Sequence, residues 1–408
     1  MQRHVFIALI TLVLGLVGPA KAEQILYQFA LEPHATVSQP GKAYLFAVPY
    51  TLPATGLCAI KNASVSIASG HVKLYAYSGF NRSIGADEWV ALTANDQLTP
   101  GVCYKMVLQG ATFNTWTCNY TNAPTQPSQT VTISRNNAAT AVNSGWNGIG
   151  NPLWSSAYAA TSTSLGAVTY VIGYDNEYAA YYVTTLSNKS WTLGEPGFLQ
   201  APANGSLTFT TNGSGLEFGG QAPDDVIFDA PQRRQAQEAN LLTLQSVAGG
   251  YTDRLYLQFQ DEAKTGYTIG QDVVKWHGEG TQAPQLWVNQ YSTDLSVHTA
   301  ALENDMTTLT LHVYAPEDGN YVLQAQGPDA AQLTLSMDGA AVTKQIDYWI
   351  VSLTKGQHSN LTLKRNAATS TDILSPTTAI HSTKVMRNGQ LYILRDGQLY
   401  NVLGGSIE

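Results

Sequence analysis

Thr308-Leu309-Thr310-Leu311-His312-Val313-Tyr314 sets an apolar residue at every second position, and Arg254-Leu255-Tyr256-Leu257-Gln258-Phe259 does the same earlier in the chain. Side chains of an extended backbone point alternately to opposite faces, so this rhythm makes one apolar and one polar face, as in a strand packed on one side. The same period runs through His71–Tyr77, Ser206–Thr210 and Gln332–Met337, with Gly, Pro, Asn and Asp between the runs. Between Gln24 and Arg365 no stretch has the apolar repeat of a helix, at about 3.6 residues. Gln232 to Gln245 is rich in helix formers, but it follows Pro231 and lacks apolar residues at helical spacing, so it reads as a loop running into a strand. The fold class is therefore all-β: two tandem antiparallel β-sandwich regions of jelly-roll type, then a short C-terminal three-stranded β-meander.

The organisation expected is a signal peptide at 1–22, an N-terminal β-rich domain at 23–135, β-sandwich modules at 136–366, a Ser/Thr/Pro linker at 367–382 and a hairpin tail at 383–408. Arg3 and His4 precede the uncharged, mostly apolar run Val5–Val17, and Ala20-Lys21-Ala22 offers small residues where a signal peptidase reads. That pattern is an export leader, too short for the roughly 18 apolar residues of a membrane span. No later run is long enough, so no transmembrane span is expected. The destination is the cell surface or the extracellular space, with the periplasm as the alternative.

Charge narrows the partners. The chain carries 21 basic and 29 acidic residues. Nucleic acid and anionic lipid both need a basic surface to displace counterions, so neither is an expected partner. With 44% hydrophobic and 12% charged residues there is ample apolar material for packed cores.

Cys58, Cys103 and Cys118 lack metal-ligand spacing. If Val102–Leu108 and Phe113–Tyr120 are the arms of one hairpin, with Leu108 opposite Phe113, then Cys103 falls opposite Cys118. Opposed residues in an antiparallel pair have Cβ atoms about 4.5–5.5 Å apart, close enough for a disulfide. Cys58–Cys103 is the rival pairing.

In the tail, Arg387-Asn388-Gly389-Gln390-Leu391-Tyr392 is followed by Arg395-Asp396-Gly397-Gln398-Leu399-Tyr400. Asn-Gly and Asp-Gly supply the two positive-φ positions of a tight hairpin turn, so the repeat predicts a meander. Its register sets Val385, Tyr392, Leu394, Leu399 and Leu403 on one face, and Met386, Leu391, Ile393, Tyr400 and Val402 on the other. A small sheet with two apolar faces needs something to dock on. Tyr392, Ile393 and Tyr400 are the docking candidates, and a secretion or surface-attachment apparatus is the expected partner.

Ser144-Gly145-Trp146-Asn147-Gly148-Ile149-Gly150-Asn151-Pro152-Leu153-Trp154-Ser155-Ser156 resembles the W-N-x-I-G-N-P-y-p-S signature of large secreted and surface proteins from bacteria with a type IX secretion system. Trp89-Val90-Ala91-Leu92 and Leu98-Thr99-Pro100-Gly101-Val102-Cys103-Tyr104 are similar to that family's lead-in, with Cys103 where glycine is usual. Thr252–Tyr256, Gly266–Asp272, Ala283–Trp287, Leu295–Val297 and Asp318–Tyr321 look like its β-sandwich module, and Lys384–Gly404 looks like its terminal segment. The resemblance implies export, β-sandwich modules and a surface or extracellular role; it names no catalytic residue. From the residues themselves the motif reads as a structural turn: Asn147 and Asn151 bond backbone, Gly148 and Gly150 supply positive φ, Pro152 ends the turn, and Trp146 and Trp154 anchor the core.

No Gly-x-Ser-x-Gly elbow, His-Glu-x-x-His helix, phosphate loop or Asp-x-Asp-x-Asp-Gly loop occurs. Trp276-His277-Gly278-Glu279-Gly280 reads as a solvated loop, and His298 and His312 as exposed strand residues. No cofactor is expected; Asp224-Asp225 with Asp229, Asp175 with Glu177, and Asp261-Glu262 with Asp272 leave calcium open. The surplus is aromatic, with 22 Tyr and 8 Trp. Trp191, Trp287, Tyr178 and Tyr182 are the candidate ligand contacts, since amphipathic rings stack on sugars and protein partners. The leading expectation is a non-catalytic adhesion, structural or binding protein. A carbohydrate-binding module is the alternative, and a carbohydrate-active enzyme comes third.

Overall fold

The structure, a computed structural model, describes residues 26–31, 43–49, 51–53, 59–60, 72–108, 116–121, 127–153, 155–165, 168–211, 239–261, 263, 265–278, 282–367, 382–387, 390–395, 398–401 and 406–407. The chain forms two compact units, Met1–Asn366 and Ala367–Glu408. Both are built from strands; among the described residues the one α-helix is Gly79–Ser83, where the Ser78 hydroxyl accepts from the Asn81 N–H at 3.1 Å. The leader, Cys58, Trp154, Gln232–Glu238, Asp224, Asp225 and Asp229 lie outside the described residues.

The largest element is an eleven-stranded sheet. Its neighbours run Ala340–Val342, Leu333–Met337, Gly356–Arg365, Thr307–Ala315, Gln285–Gln290, Thr293–Ala301, Thr252–Gln260, Asn240–Ser246, Gly319–Gln326, Tyr348–Leu353, with Val273–Val274 beside Thr293–Ala301. The first and last strands of that order are consecutive in sequence, joined by residues 343–347. Such a link reaches about 20 Å. Ten strands laid flat would spread over roughly 40 Å, so the connection forces the sheet to roll up. The alternation of Thr252–Gln260 and Thr307–Ala315 is what a rolled sheet needs: Leu255, Leu257, Phe259, Leu309, Leu311 and Val313 fill one continuous interior with Leu323, Trp349 and Leu361. All pairings are antiparallel except Thr252–Gln260 beside Thr293–Ala301.

Residues 127–211 make a two-layer sandwich. The outer sheet holds Ser128–Ile133, Gly205–Thr211 and Ala157–Thr161; the inner holds Trp146–Gly150, Pro196–Gln200, Tyr170–Asp175 and Ala180–Thr185. Ile149, Val171, Trp191, Leu199, Leu207 and Phe209 fill the space between. Ser128–Ile133 pairs along its length with Gly205–Thr211, so the boundary expected at 135 would cut a strand from its own sheet.

The inner sheet is buried on its second face too. There Trp146, Tyr170, Ile172 and Phe198 meet Leu45 and Tyr77 from the N-terminal sheets and Val273, Val297 and Trp276 from the rolled-sheet region. The Trp276 ring lies 4.4 Å from Phe198, 5.1 Å from Trp146 and 5.3 Å from Tyr181, centroid to centroid, and the Arg82 guanidinium sits 4.9 Å from it. One sheet is thus a wall shared by three parts of the chain.

The Trp146–Asn151 motif builds that wall, as a strand and not as a turn. Asn147 grips the Ser134 backbone, accepting from its N–H at 3.0 Å and donating to its carbonyl at 2.9 Å. Asn151, fully buried, donates to the carbonyls of Ser155, Trp191 and Thr192 and accepts from Leu153 N–H. The expected glycine role is corrected: Gly148 and Gly150 lack positive φ, and it is Gly145 that has φ +75°. Their value is clearance, since a Cβ on Gly148 would stand 2.6 Å from Tyr77 and one on Gly150 2.0 Å from Ala47.

The hairpin behind the Cys103–Cys118 pairing does not form. Tyr104–Leu108 pairs with Ala43–Phe46 and Val72–Tyr77, whereas Trp116–Thr121 pairs with Leu26–Leu31 and Ala59–Ile60. Phe29 is the register partner of Cys118, and Cys103 is a buried free thiol. In the C-terminal unit, Ser382–Arg387, Gln390–Arg395 and Gln398–Asn401 form the expected meander, with Val385 opposite Tyr392, Tyr392 opposite Asn401 and Ile393 opposite Tyr400. A fourth strand, Ser406–Ile407, extends it beyond the three expected.

Candidate functional site

One end of the rolled sheet carries a polar cleft of about 480 Å³ lined by Gln258, Phe259, Gln260, Asp261, Leu302, Asp305, Pro328, Asp329 and Arg365. Four separate pieces of chain build it: the end of Thr252–Gln260, the turn after Thr293–Ala301, the connection after Gly319–Gln326, and the end of Gly356–Arg365. In the turn, Asn304 and Asp305 both have positive φ, and Glu303 and Met306 exchange backbone hydrogen bonds at 2.8 and 3.0 Å, which fixes a tight hairpin. That turn holds Asp305 at the rim.

The floor is a satisfied network. Arg365 Nε donates to Asp329 Oδ1 at 2.9 Å, and Asn240 Nδ2 donates to Asp329 Oδ2 at 2.9 Å. Arg365 also donates to the Asp305 carbonyl and lies 5.8 Å over the Phe259 ring. Asp329 offsets the guanidinium, so Asp261 and Asp305, both exposed, leave the lining net acidic. Such a lining suits a ligand rich in hydrogen-bond donors and neutral or positive in charge. Phe259 is only 6% exposed and lies under Arg365, so the cleft presents no free aromatic face.

None of the four aromatics chosen from sequence lines this cleft, and packing accounts for each. Trp191 is 0% exposed inside the sandwich, 5.3 Å from Phe209. Trp287, 4% exposed, lies between the His277 ring at 4.9 Å and the stacked His312 ring at 5.7 Å. Tyr178 packs on Tyr251 at 5.5 Å. The Tyr182 hydroxyl sits 3.2 Å from Glu195 Oε1 and 3.3 Å from Lys189 Nζ; burial pushes this phenol above its ordinary range, against the pull of Lys189. Among the described residues the exposed aromatics are Phe80, Tyr158 and Tyr291, none of which the sequence singled out.

Of the histidines, His298 departs from expectation: it is buried, and its Nδ1 meets Asp272 Oδ1 at 3.1 Å, while Asp272 also accepts from Thr268 and Thr299 N–H. Asp272 is therefore committed away from Asp261, with which it had been grouped for calcium. His277 is exposed in a loop, as expected, with Nδ1 2.9 Å from Gln285 Oε1 and Nε2 2.8 Å from Asp294 Oδ2. Dehydration pushes the Asp294 carboxyl up, but hydrogen bonds from Asn289 and His277 outweigh it and hold the group below its ordinary value. Asp175 Oδ1 accepts from Glu177 and Tyr178 N–H. Among the described residues no three His, Cys, Asp or Glu side chains converge as metal ligands, and no helix is long and apolar enough to cross a membrane.

Compared with known proteins, the chain matches no family model, no curated protein and no solved structure.

Proposed function

We propose that the protein is exported and serves at the cell surface or in the extracellular space as a non-catalytic β-sandwich protein in adhesion or surface assembly. The leader-like N-terminus and the likeness to type IX cargo support export. The cleft carries the binding part of this reading: its one guanidinium is spent on Asp329 and on backbone, so the lining offers hydrogen-bonding groups fixed in place. The Lys384–Glu408 tail is the segment that engages the secretion or attachment apparatus.

Fractionation of cells expressing the chain with and without Lys384–Glu408 tests this. Surface exposure of the full chain and its loss in the deletant are expected; a deletant that reaches the surface normally, or a full chain retained in the cytosol, overturns it. Activity on a polysaccharide and peptide substrate panel, abolished by one carboxylate substitution, would make the protein an enzyme.

Glycan capture is the second reading, favoured by the Asp261, Asp305 and Gln260 lining. Sugar hydroxyls donate to carboxylates and exchange hydrogen bonds with amides. Binding on a glycan array that Asp305→Ala abolishes supports capture at this cleft; binding unchanged by that substitution excludes it.

A further inference from the structure

Asp253 stands at the start of Thr252–Gln260, and Lys275 directly follows Val273–Val274. Their side chains form an ion pair closed to water, with exposures of 0% and 2%. Asp253 Oδ2 accepts from both the Lys275 ammonium and the Leu286 backbone N–H. Asp253 Oδ1 has no hydrogen-bond partner among the described residues.

Two dehydrated charges are costly unless every lone pair is satisfied, and here one carboxylate oxygen is not. Lys189 and Glu195 show the contrast within the same chain. There Oε1 receives Lys189 and Tyr182 while Oε2 receives the Thr192 N–H and hydroxyl, so both oxygens are occupied. Transfer of a proton from Nζ to the carboxylate, whose Oδ1 is bare, would leave a neutral amine against a neutral carboxylic acid. The acid's Oδ2 is already held by a backbone donor.

We propose that Lys275 and Asp253 condense into an intramolecular isopeptide bond. Lys275 Nζ attacks Cγ of the protonated Asp253, and the Leu286 N–H stabilises the negative charge that develops on Oδ2. The Nζ–Cγ bond forms and the Cγ–Oδ1 bond breaks. Oδ1 leaves as water, carrying the proton it first took and a second one from Nζ. No oxidant, reductant or cofactor enters the balance. Holding amine and acid in contact replaces a bimolecular encounter, which accounts for a condensation that dilute amines and acids do not undergo. The product keeps Oδ2 as an amide carbonyl on the Leu286 N–H and replaces two buried charges with a neutral group. It also ties Thr252–Gln260 to the segment carrying Val273 and Trp276, which meets the shared inner sheet.

Intact mass spectrometry of the denatured full chain tests the bond, with Lys275→Arg prepared identically as the reference. Corrected for the substitution, the wild-type chain should be about 18 Da lighter, and trypsin should release a branched peptide joining the Asp253 and Lys275 segments. Equal masses with free cleavage after Lys275 overturn the proposal, as does a water-mass deficit that persists in Lys275→Arg. The decisive measurement is made on the wild-type chain, so it does not depend on how well any variant folds.

Discussion

Pro196–Gln200 is buried at every position, whereas Thr252–Gln260 alternates buried and half-buried residues over its whole length. Each pattern reports what lies on the two sides of its strand. The rolled sheet encloses one interior, and strands such as Thr307–Ala315 turn their other face outward, so period two is enforced there; Thr293–Ala301, whose Val297 meets the inner sheet, is buried at six consecutive positions. The inner sheet of the sandwich has no solvent face: Leu199 packs toward the outer sheet, and the adjacent Phe198 packs toward residues from the N-terminal sheets and the rolled-sheet region. A wall with a core on each side couples those cores. Residues within Met1–Asn366 should therefore unfold together, although the rolled sheet holds a complete interior of its own.

Phe198→Ala would break that coupling most directly. The ring lies 5.1 Å from Tyr77, 4.4 Å from Trp276, 6.1 Å from Trp89 and 6.0 Å from Tyr181, so its loss opens a cavity among several parts of the chain. The expected cost is about 3–5 kcal/mol, with one denaturation transition resolving into two and a red shift in native tryptophan fluorescence. Leu257→Ala, at a fully buried position inside the rolled sheet, in the interior that also holds Trp349, should cost about 2–5 kcal/mol without resolving the denaturation transition into two. If both variants split the transition alike, the two cores are not distinct.

Asn151→Ala comes next. The side chain serves three carbonyls and one N–H from a fully buried position; alanine would strip the Leu153 N–H of its acceptor and take one donor from each of the Ser155, Trp191 and Thr192 carbonyls, the last two keeping the N–H groups of Ala157 and Glu195. A loss of about 2–3 kcal/mol is expected in urea denaturation. A loss below about 0.5 kcal/mol would mean that water replaces the amide and that the motif contributes shape only.

How much of this was readable in sequence divides along the same line. Leu255, Leu257, Leu309 and Leu311 announced their inward face because the constraint is local and repeats every two residues. The tail register was readable for a similar reason: Asn388-Gly389 and Asp396-Gly397 set which residues oppose one another within a few positions. Gly148 and Gly150 misled because their requirement comes from Tyr77 and Ala47, far away in sequence, and no local pattern records a distant ring. Cys103 and Cys118 misled likewise, since a hairpin inferred from neighbours lost to pairing with Ala43–Phe46 and Leu26–Leu31. His298 looked like an exposed strand residue until Asp272 was placed against it. The cleft left no local trace, because its lining comes from four connections that meet only after the sheet rolls.

The smallest expected effect sharpens the comparison at its edge. The outer sheet is single-faced: Leu207 and Phe209 are 0% exposed, while Ser128, Thr130, Thr132 and Thr210 point outward and Tyr158 is 51% exposed. Thr208 lies between the two buried residues in sequence and on the opposite face, with its hydroxyl 3.0 Å from that of Thr130. Thr208→Val keeps the branched Cβ that suits a strand and removes only an exposed hydroxyl pair, so stability should change by less than about 0.5 kcal/mol. A thermal melt comparing Thr208→Val with wild type checks it. A loss above about 1.5 kcal/mol would mean that the outward face is covered in the folded protein and that this sheet, like its neighbour, is a wall.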